Sequence, residues 1–193
     1  LGELSVTDRR LIVLMTLVLV AALPPAAHAK LPASKTKTIV FGKSIAGVKL
    51  GMSLDAAKAA WGPGSLCAES SGATVTTNRC SWNDKAKGSL SFTATNGAIT
   101  SISLNAPIVD PFKRVAKLTG PIAAYRTAKG IGIGSTVSDL QAALGDQLTM
   151  QYVEYGDLGD QFQVGDGTGL NGSLSDQGPT DVVLSIGANR ICI

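Results

Sequence analysis

Two short segments of the chain have the apolar spacing of amphipathic helices. Each follows a residue that is a good N-cap, Ser53 in one case and Thr136 in the other, because their hydroxyls accept hydrogen bonds from free amides of the first turn. Apolar residues then recur at helical spacing up to Gly62 and Gly145, and glycine is typical of a helix end. The pattern predicts two helices of about two turns each, which are too short to persist without a sheet to pack on.

Alternation of apolar and polar residues predicts strands over much of the remaining chain. Asn96-Gly97 lies between two such segments and is the strongest hairpin signal, since both residues accept the positive φ of a tight turn. The predicted strands lie at residues 75–82, 89–95, 98–104, 148–155, 161–164, 172–175 and 182–186.

Parts of the chain recur at an offset of 83 to 84 residues. Residues 47–51 return as 130–134, and residues 59–62 return as 142–145, while Gly88-Ser89-Leu90-Ser91 returns as Gly172-Ser173-Leu174-Ser175. A fixed offset is typical of one supersecondary unit used twice. We therefore expect an α+β fold of two tandem helix–antiparallel-sheet repeats, with the helices on one face of a combined sheet. The opposite face would be left for solvent or a partner.

The first residues have the pattern of an export signal. Arg9-Arg10 precedes an apolar run, and Ala27-His28-Ala29 forms a cleavage site before Lys30. The alternative, a retained membrane anchor, is disfavoured because a spanning helix needs about 20 apolar residues. We expect a secreted protein, extracellular or associated with the cell envelope, without stable membrane insertion after cleavage. The predicted organisation is a signal peptide (1–29), a basic lead-in (30–46) that is expected to be flexible over residues 30–38, a first repeat (47–105), a linker (106–129), a second repeat (130–189) and a C-terminal tail (190–193).

Cysteine usage fits an oxidising compartment. Cys67 and Cys80 flank a polar stretch, and two strands of a hairpin would bring them together as a disulfide. The aligned positions of the second repeat are Met150 and Val164, an apolar pair. Cys192 has no partner in its own repeat, and a free thiol is favoured over an intermolecular bridge.

The two predicted repeats differ in charge. The second contains no lysine or arginine between residues 130 and 189 but eight acids. A solvated acidic surface is the favoured interpretation, and recognition of a partner or a cation is the alternative. The acids are Asp139, Asp146, Glu154, Asp157, Asp160, Asp166, Asp176 and Asp181.

Several kinds of chemistry are disfavoured by residue type. The one histidine, His28, lies in the predicted signal peptide, which removes Ser-His-Asp catalysis and most zinc sites from the mature chain. Asp157, Asp160 and Asp166 lie in a glycine-rich stretch without EF-hand spacing, and turn formation explains them better than a metal. The basic lead-in and linker lack interleaved aromatics, which argues against nucleic acid. We predict no enzyme activity, cofactor or metal.

Surface recognition is the remaining class of function. Aromatic residues are the usual anchors of interfaces, although core packing is favoured for any single one. Tyr152 and Tyr155 lie three positions apart, so on a regular strand they face opposite sides and one is exposed. The candidate partner-binding residues are Trp82, Asp84, Phe92, Tyr152, Tyr155 and Phe162.

A short motif resembles a known family. Val48-Lys49-Leu50-Gly51-Met52-Ser53, the helix to Gly62, and the cysteine pair resemble the repeat of the β-lactamase inhibitory protein family, and less closely that of SmpA/OmlA-type outer-membrane assembly lipoproteins. The resemblance implies two tandem units forming a concave sheet that clamps a β-lactamase loop with aromatics and an acidic loop residue. Asp84 lies in a comparable loop, at residues 81–88.

We accordingly predict a secreted, non-catalytic protein-binding module of bacterial origin, with another extracellular or envelope protein as its partner. One alternative is a secreted inhibitor of a β-lactamase, a cell-wall enzyme or another hydrolase. A second is an envelope-associated binder of a cation or small ligand.

Overall fold

A computed structural model describes residues 31–32, 36–62, 66–84, 87–107, 120–151, 160–165, 171–175 and 180–189. Among these residues, the α-helices are α1 (Leu54–Trp61) and α2 (Val137–Leu144), and short 3₁₀ turns lie at Pro121–Ala124 and Gly145–Gln147. The strands are β1 (Ile39–Val40), β2 (Ser44–Ile45), β3 (Val48–Lys49), β4 (Leu66–Ser71), β5 (Thr76–Asp84), β6 (Gly88–Thr95), β7 (Ala98–Asn105), β8 (Leu148–Gln151), β9 (Gln161–Val164), β10 (Asn171–Leu174) and β11 (Val183–Asn189).

One antiparallel sheet of eight strands dominates the fold, in the order β4-β5-β6-β7-β11-β10-β9-β8. Strands from the first half of the chain form one side, and strands from the second half form the other. The halves meet where β7 pairs with β11, with Leu104 opposite Ile186. Backbone hydrogen bonds therefore run without interruption across the sheet.

The expected α+β fold of two helix–sheet repeats is wrong, because the described chain is mostly β. Each helix has eight residues, and α1 buries only Ala57 and Trp61. Helices of this length cover only part of the apolar face of so wide a sheet. A second sheet, with three strands in the order β1-β2-β3, adds Ile39, Ile45 and Val48 to the same core.

The core lies on one face of the large sheet. Alternate residues of β6 and β7 point into it, since side chains of a strand alternate between faces, and the helices add Trp61, Leu140 and Leu144. The aromatic rings of Trp61 and Trp82 meet edge to face with centroids 4.8 Å apart. Burial of these large rings contributes strongly to stability.

The end of the lead-in takes part in the fold, including Thr38 from the stretch expected to be flexible, which forms a bridge with Arg126. Ile39 is buried, and its N–H donates to the carbonyl of Arg126 over 2.8 Å. The Arg126 N–H in turn donates to the carbonyl of Lys37. Residues before the first predicted repeat are thus hydrogen-bonded to residues of the predicted linker. In the predicted linker, the spacing of Phe112, Val115, Ala116 and Leu118 predicts a further short helix, and these residues lie outside the described ones.

The offset of 83 to 84 residues holds at the helix starts but not throughout the sheet. Ser53 bridges Ala98, and Thr136 bridges Val182. In the strands, however, Met150 lies opposite Phe162, and Val164 lies opposite Leu148, so Met150 and Val164 are not directly opposed as Cys67 and Cys80 are. Hairpin length determines which residues lie opposite each other, so the alignment of the two halves by sequence does not give the strand register.

Candidate binding surfaces

Three of the predicted partner-binding aromatics are core residues. Trp82 has no exposed surface, and Phe92 and Phe162 are each 1% exposed. Phe92 packs against the rings of both Trp61 and Trp82. These side chains stabilise the fold and do not reach a partner at the surface.

The other predicted contacts have different positions. Asp84 ends β5 and forms an ion pair with Lys87, with Oδ2 and Nζ 3.2 Å apart. An exposed pair of this kind contributes little to stability, and the carboxylate remains near the surface. Tyr152 and Tyr155 lie outside the described residues, so their role as partner-binding residues stays a prediction.

The face of the large sheet opposite the core is lined by uncharged polar side chains. We call it the open face. A row of directly opposed residues crosses it from β5 to β8: Asn83, Ser89, Asn105, Ser185, Ser173, Gln161 and Gln151. Ser81, Ser91 and Ser103 form a parallel row beside it. Arg79 is the charged residue that strand register places on this face, in the part of the chain that the structure describes.

Hydroxyl groups on the open face bond to one another across strands. The Oγ atoms of Ser91 and Ser103 are 2.6 Å apart, and those of Ser173 and Ser185 are 2.8 Å apart. Nδ2 of Asn105 also donates to Oγ of Ser89 over 3.3 Å. These bonds hold small polar groups in fixed positions, yet most remain partly exposed. The face can therefore offer both donors and acceptors to a partner.

The acids of the second half do not form a uniformly solvated surface. Asp160 is 6% exposed and Asp181 is 8% exposed. Oδ1 of Asp181 accepts a hydrogen bond from Ser175, and its backbone carbonyl accepts from the first amide of α2. Within the described ranges no cluster of three or more potential metal-ligating residues is found, while Asp157, Asp166 and Asp176 lie outside them.

A cleft of about 500 Å³ beside α2 contains two cations of the predicted linker. Nη1 of Arg126 donates to Oγ of Ser135 over 2.8 Å, and Nζ of Lys129 donates to the carbonyl of Ala143 over 2.6 Å. The lysine lies at the C-terminal end of α2, where a positive charge interacts favourably with the helix dipole. Both cations thus stabilise the loop and the helix.

Two titratable groups near this cleft have shifted pKa values. The backbone N–H of Thr136, together with its hydroxyl, bonds to the carboxylate of Asp139 and lowers its pKa, and the charge of Arg126 acts in the same direction. Together Thr136 and Asp139 form a capping box at the start of α2. Burial raises the pKa of the Tyr125 hydroxyl. These shifts follow from local structure and do not indicate catalysis.

A disulfide joins Cys67 and Cys80, as expected from the sequence. The two residues lie directly opposite each other on β4 and β5. Such a bond persists in oxidising compartments, which is consistent with an extracellular location. No helix among the described residues is both long enough and apolar enough to cross a membrane.

Sequence reasoning missed β4 as a surface feature. All six residues of this strand, Leu66–Ser71, are exposed, and it forms an outer edge of the large sheet. Glu69 is its charged member. The predicted disulfide could have indicated this strand. A hairpin that pairs Cys67 with Cys80 needs one strand before the turn at Gly72 and one after it.

No protein-family model matches the chain, and neither a curated protein nor a solved structure shows significant similarity to it. The resemblance to β-lactamase inhibitory proteins therefore stays a prediction.

Proposed function

We propose that this protein is a secreted, non-catalytic protein-binding module that uses the open face of its large sheet. The observation that carries the proposal is the row of opposed polar side chains from Asn83 to Gln151. Antiparallel sheets commonly have one face on the core and one toward solvent, and here the solvent side offers neutral hydrogen-bonding groups. The buried core and the disulfide support this surface as a rigid platform.

Small uncharged groups suit contact with a protein surface for a physical reason. Serine, threonine and asparagine side chains lose little conformational entropy when a partner immobilises them. They can bond either to backbone groups or to bridging water. A typical protein interface contains about ten direct hydrogen bonds and a similar number of bridging waters, and the open face supplies donors and acceptors for both.

The proposal is tested by capturing proteins with the full mature chain from secreted and envelope fractions of the producing cells. Ser185→Lys places a charge in the middle of the polar row, whereas Gln141→Lys places the same charge on an exposed position of α2. We expect a specific partner to bind the wild type and Gln141→Lys but not Ser185→Lys. The proposal fails if no partner is captured, or if all three proteins capture the same set equally.

Inhibition of a hydrolase is a narrower form of the same proposal. Its support is the motif resemblance, together with the position of Asp84 at the end of β5. The test is residual activity of purified β-lactamases and transpeptidases in the presence of excess mature protein. Unchanged activity across the panel would leave protein binding as the function and remove inhibition.

A further inference from the structure

Strand β4 leaves one edge of the large sheet open. It is the first strand in the sheet order, and none of the described segments pairs with its outer side. Leu66 is 68% exposed, and nearby Val75 is 44% exposed. Edge strands are commonly blocked by lysine, proline, a bulge or an inward-pointing charge. Strand β4 has no lysine or proline, its register with β5 is regular, and Glu69 is its charged residue. The edge is suited to pairing.

Hydrogen bonds in the hairpin show which backbone groups of β4 point outward. Gly72 donates its N–H to the carbonyl of Val75 over 2.8 Å. Both backbone groups of Thr76 point away from β4, toward the side of β6. Its carbonyl accepts from the Asn96 N–H, and its N–H donates to Asn96 Oδ1. Ser71, opposite Thr76, therefore points its own N–H and carbonyl away from β5.

The outward groups continue along the strand. In an antiparallel pair, hydrogen-bonded and non-hydrogen-bonded residue pairs alternate. Glu69, two positions from Ser71, consequently also presents its N–H and carbonyl outward. Ala68 and Ser70 are bonded to β5 instead. Two successive outward residues provide the repeating donor–acceptor pattern that an added strand requires.

The disulfide fixes this edge in position. Cys67 and Cys80 join β4 to β5 over a sequence separation of 13 residues, and Cys80 is fully buried. The outer strand is thus attached to the core even though its own side chains are exposed. A strand held in its bound conformation loses less entropy when a partner binds.

Charge identifies the kind of occupant. If a second copy paired with β4 in the antiparallel register that places Ser71 of each copy opposite Cys67 of the other, so that outward-pointing residues oppose one another, each Glu69 would lie opposite the other. Like charges directly opposed across strands are destabilising, whereas opposite charges are favourable. A segment with lysine or arginine at this position would fit better than a copy of β4.

Resting on the protein-binding function above, we propose that β4 binds an extended segment of the partner protein by strand addition. A basic side chain of that segment lies opposite Glu69, on the core side of the sheet. The neighbouring residues lie on the open-face side beside Leu66 and Ala68, where apolar side chains fit. The partner thereby contacts the edge and the open face together.

The test uses selection of random peptides on the immobilised full chain, followed by measurement of Kd. Ser71→Pro removes an outward N–H and is compatible with an edge strand, whereas Ser71→Ala keeps the N–H as a matched control. We expect Ser71→Pro to weaken peptide binding about tenfold or more, with Ser71→Ala close to wild type. Glu69→Lys should change the selected peptides from basic to acidic at one position.

A second measurement does not depend on how the proline variant folds. Selected peptides are N-methylated at alternate residues, and only one of the two alternating sets should abolish binding, since only one set donates to β4. Binding unaffected by either set overturns strand addition. So does self-association of the wild type that Ser71→Pro abolishes, because a second copy would then be the occupant.

The outcomes separate this inference from the function on which it rests. If Ser71→Pro binds the captured partner as tightly as wild type while Ser185→Lys does not, the module binds proteins but not by strand addition. If neither peptides nor a protein partner bind the wild type, the protein-binding function itself fails.

Discussion

The aromatic ring of Phe162 covers Gly172, the residue directly opposite it on the neighbouring strand. The two form a register pair between β9 and β10, and a Cβ atom added to Gly172 would collide with the ring and with the carbonyl of Ser185. In the other half of the sheet, Phe92 lies opposite Cys80. A phenylalanine thus contributes to the core on each side, but from different strands of the two hairpins.

Substituting Gly172 tests this packing. Gly172→Ala should lower the free energy of unfolding by about 1–3 kcal/mol, because overpacking forces the ring or the backbone to move. The double variant Phe162→Leu/Gly172→Ala should lose less than the sum of the single changes, since the smaller side chain makes room. Urea unfolding of all three variants measures this coupling, and strict additivity would contradict it.

The Cys67–Cys80 disulfide should contribute substantially to stability. Replacing both cysteines with alanine is expected to reduce the free energy of unfolding by about 3 kcal/mol, because the short closed loop restricts the unfolded chain. Thermal unfolding with and without a reducing agent checks the effect. The reducing agent should lower the Tm of the wild type and leave that of the double variant unchanged.

The two buried tryptophans should respond differently to substitution by phenylalanine. Nε1 of Trp61 donates to the carbonyl of Ala46 over 3.2 Å, whereas Nε1 of Trp82 has no hydrogen-bond partner among the described residues. Trp61→Phe removes this hydrogen bond, which costs about 0.5–1.5 kcal/mol. Trp82→Phe removes an unpaired donor, so chemical denaturation should show the smaller loss for this variant. Equal losses would contradict the difference.

The Asn96-Gly97 turn depends on backbone conformation and on one side-chain bond. Asn96 has φ of 48°, and its Oδ1 accepts the Thr76 N–H over 3.0 Å. Asn96→Ala loses both advantages, while Asn96→Gly retains the freedom to adopt positive φ. We expect alanine to be less stable than glycine by about 1–2 kcal/mol, as measured by urea unfolding. A glycine variant as unstable as the alanine variant would show that the side-chain bond dominates.

Asp139 should contribute to the pH dependence of stability. Its pKa is lowered in the folded protein, so the stabilisation is present above the unfolded pKa and is lost as pH falls through the folded pKa. Asp139→Asn should therefore be less stable than wild type at neutral pH, by at most about 1 kcal/mol, because solvent screens this exposed carboxylate. The difference should disappear in acid. Asp146→Asn, at an exposed site, serves as the control, and a difference that persists in acid would exclude this origin.

The sequence by itself determined the local elements. Both helices begin after an N-cap residue, Ser53 or Thr136, and end at a glycine. These signals could be recognised in the sequence because an N-cap and a terminal glycine each act on the backbone within a few residues. The Asn96-Gly97 hairpin and the Cys67–Cys80 pair were also predicted correctly, since each depends on neighbouring strands. Alternation of apolar and polar residues likewise located the core-facing positions of β6 and β7.

Only the tertiary structure decided how these elements combine. The pairing of β7 with β11 joins residues far apart in the chain, and nothing in local periodicity requires it. The same pairing brought the serines and amides of seven strands onto one face, while packing against other elements, such as that of Trp61 on Trp82 and Phe92, placed the predicted contact aromatics in the core. The sequence around an aromatic residue does not show whether the residue lies in the core or binds a partner, because its burial depends on which other elements pack against its strand.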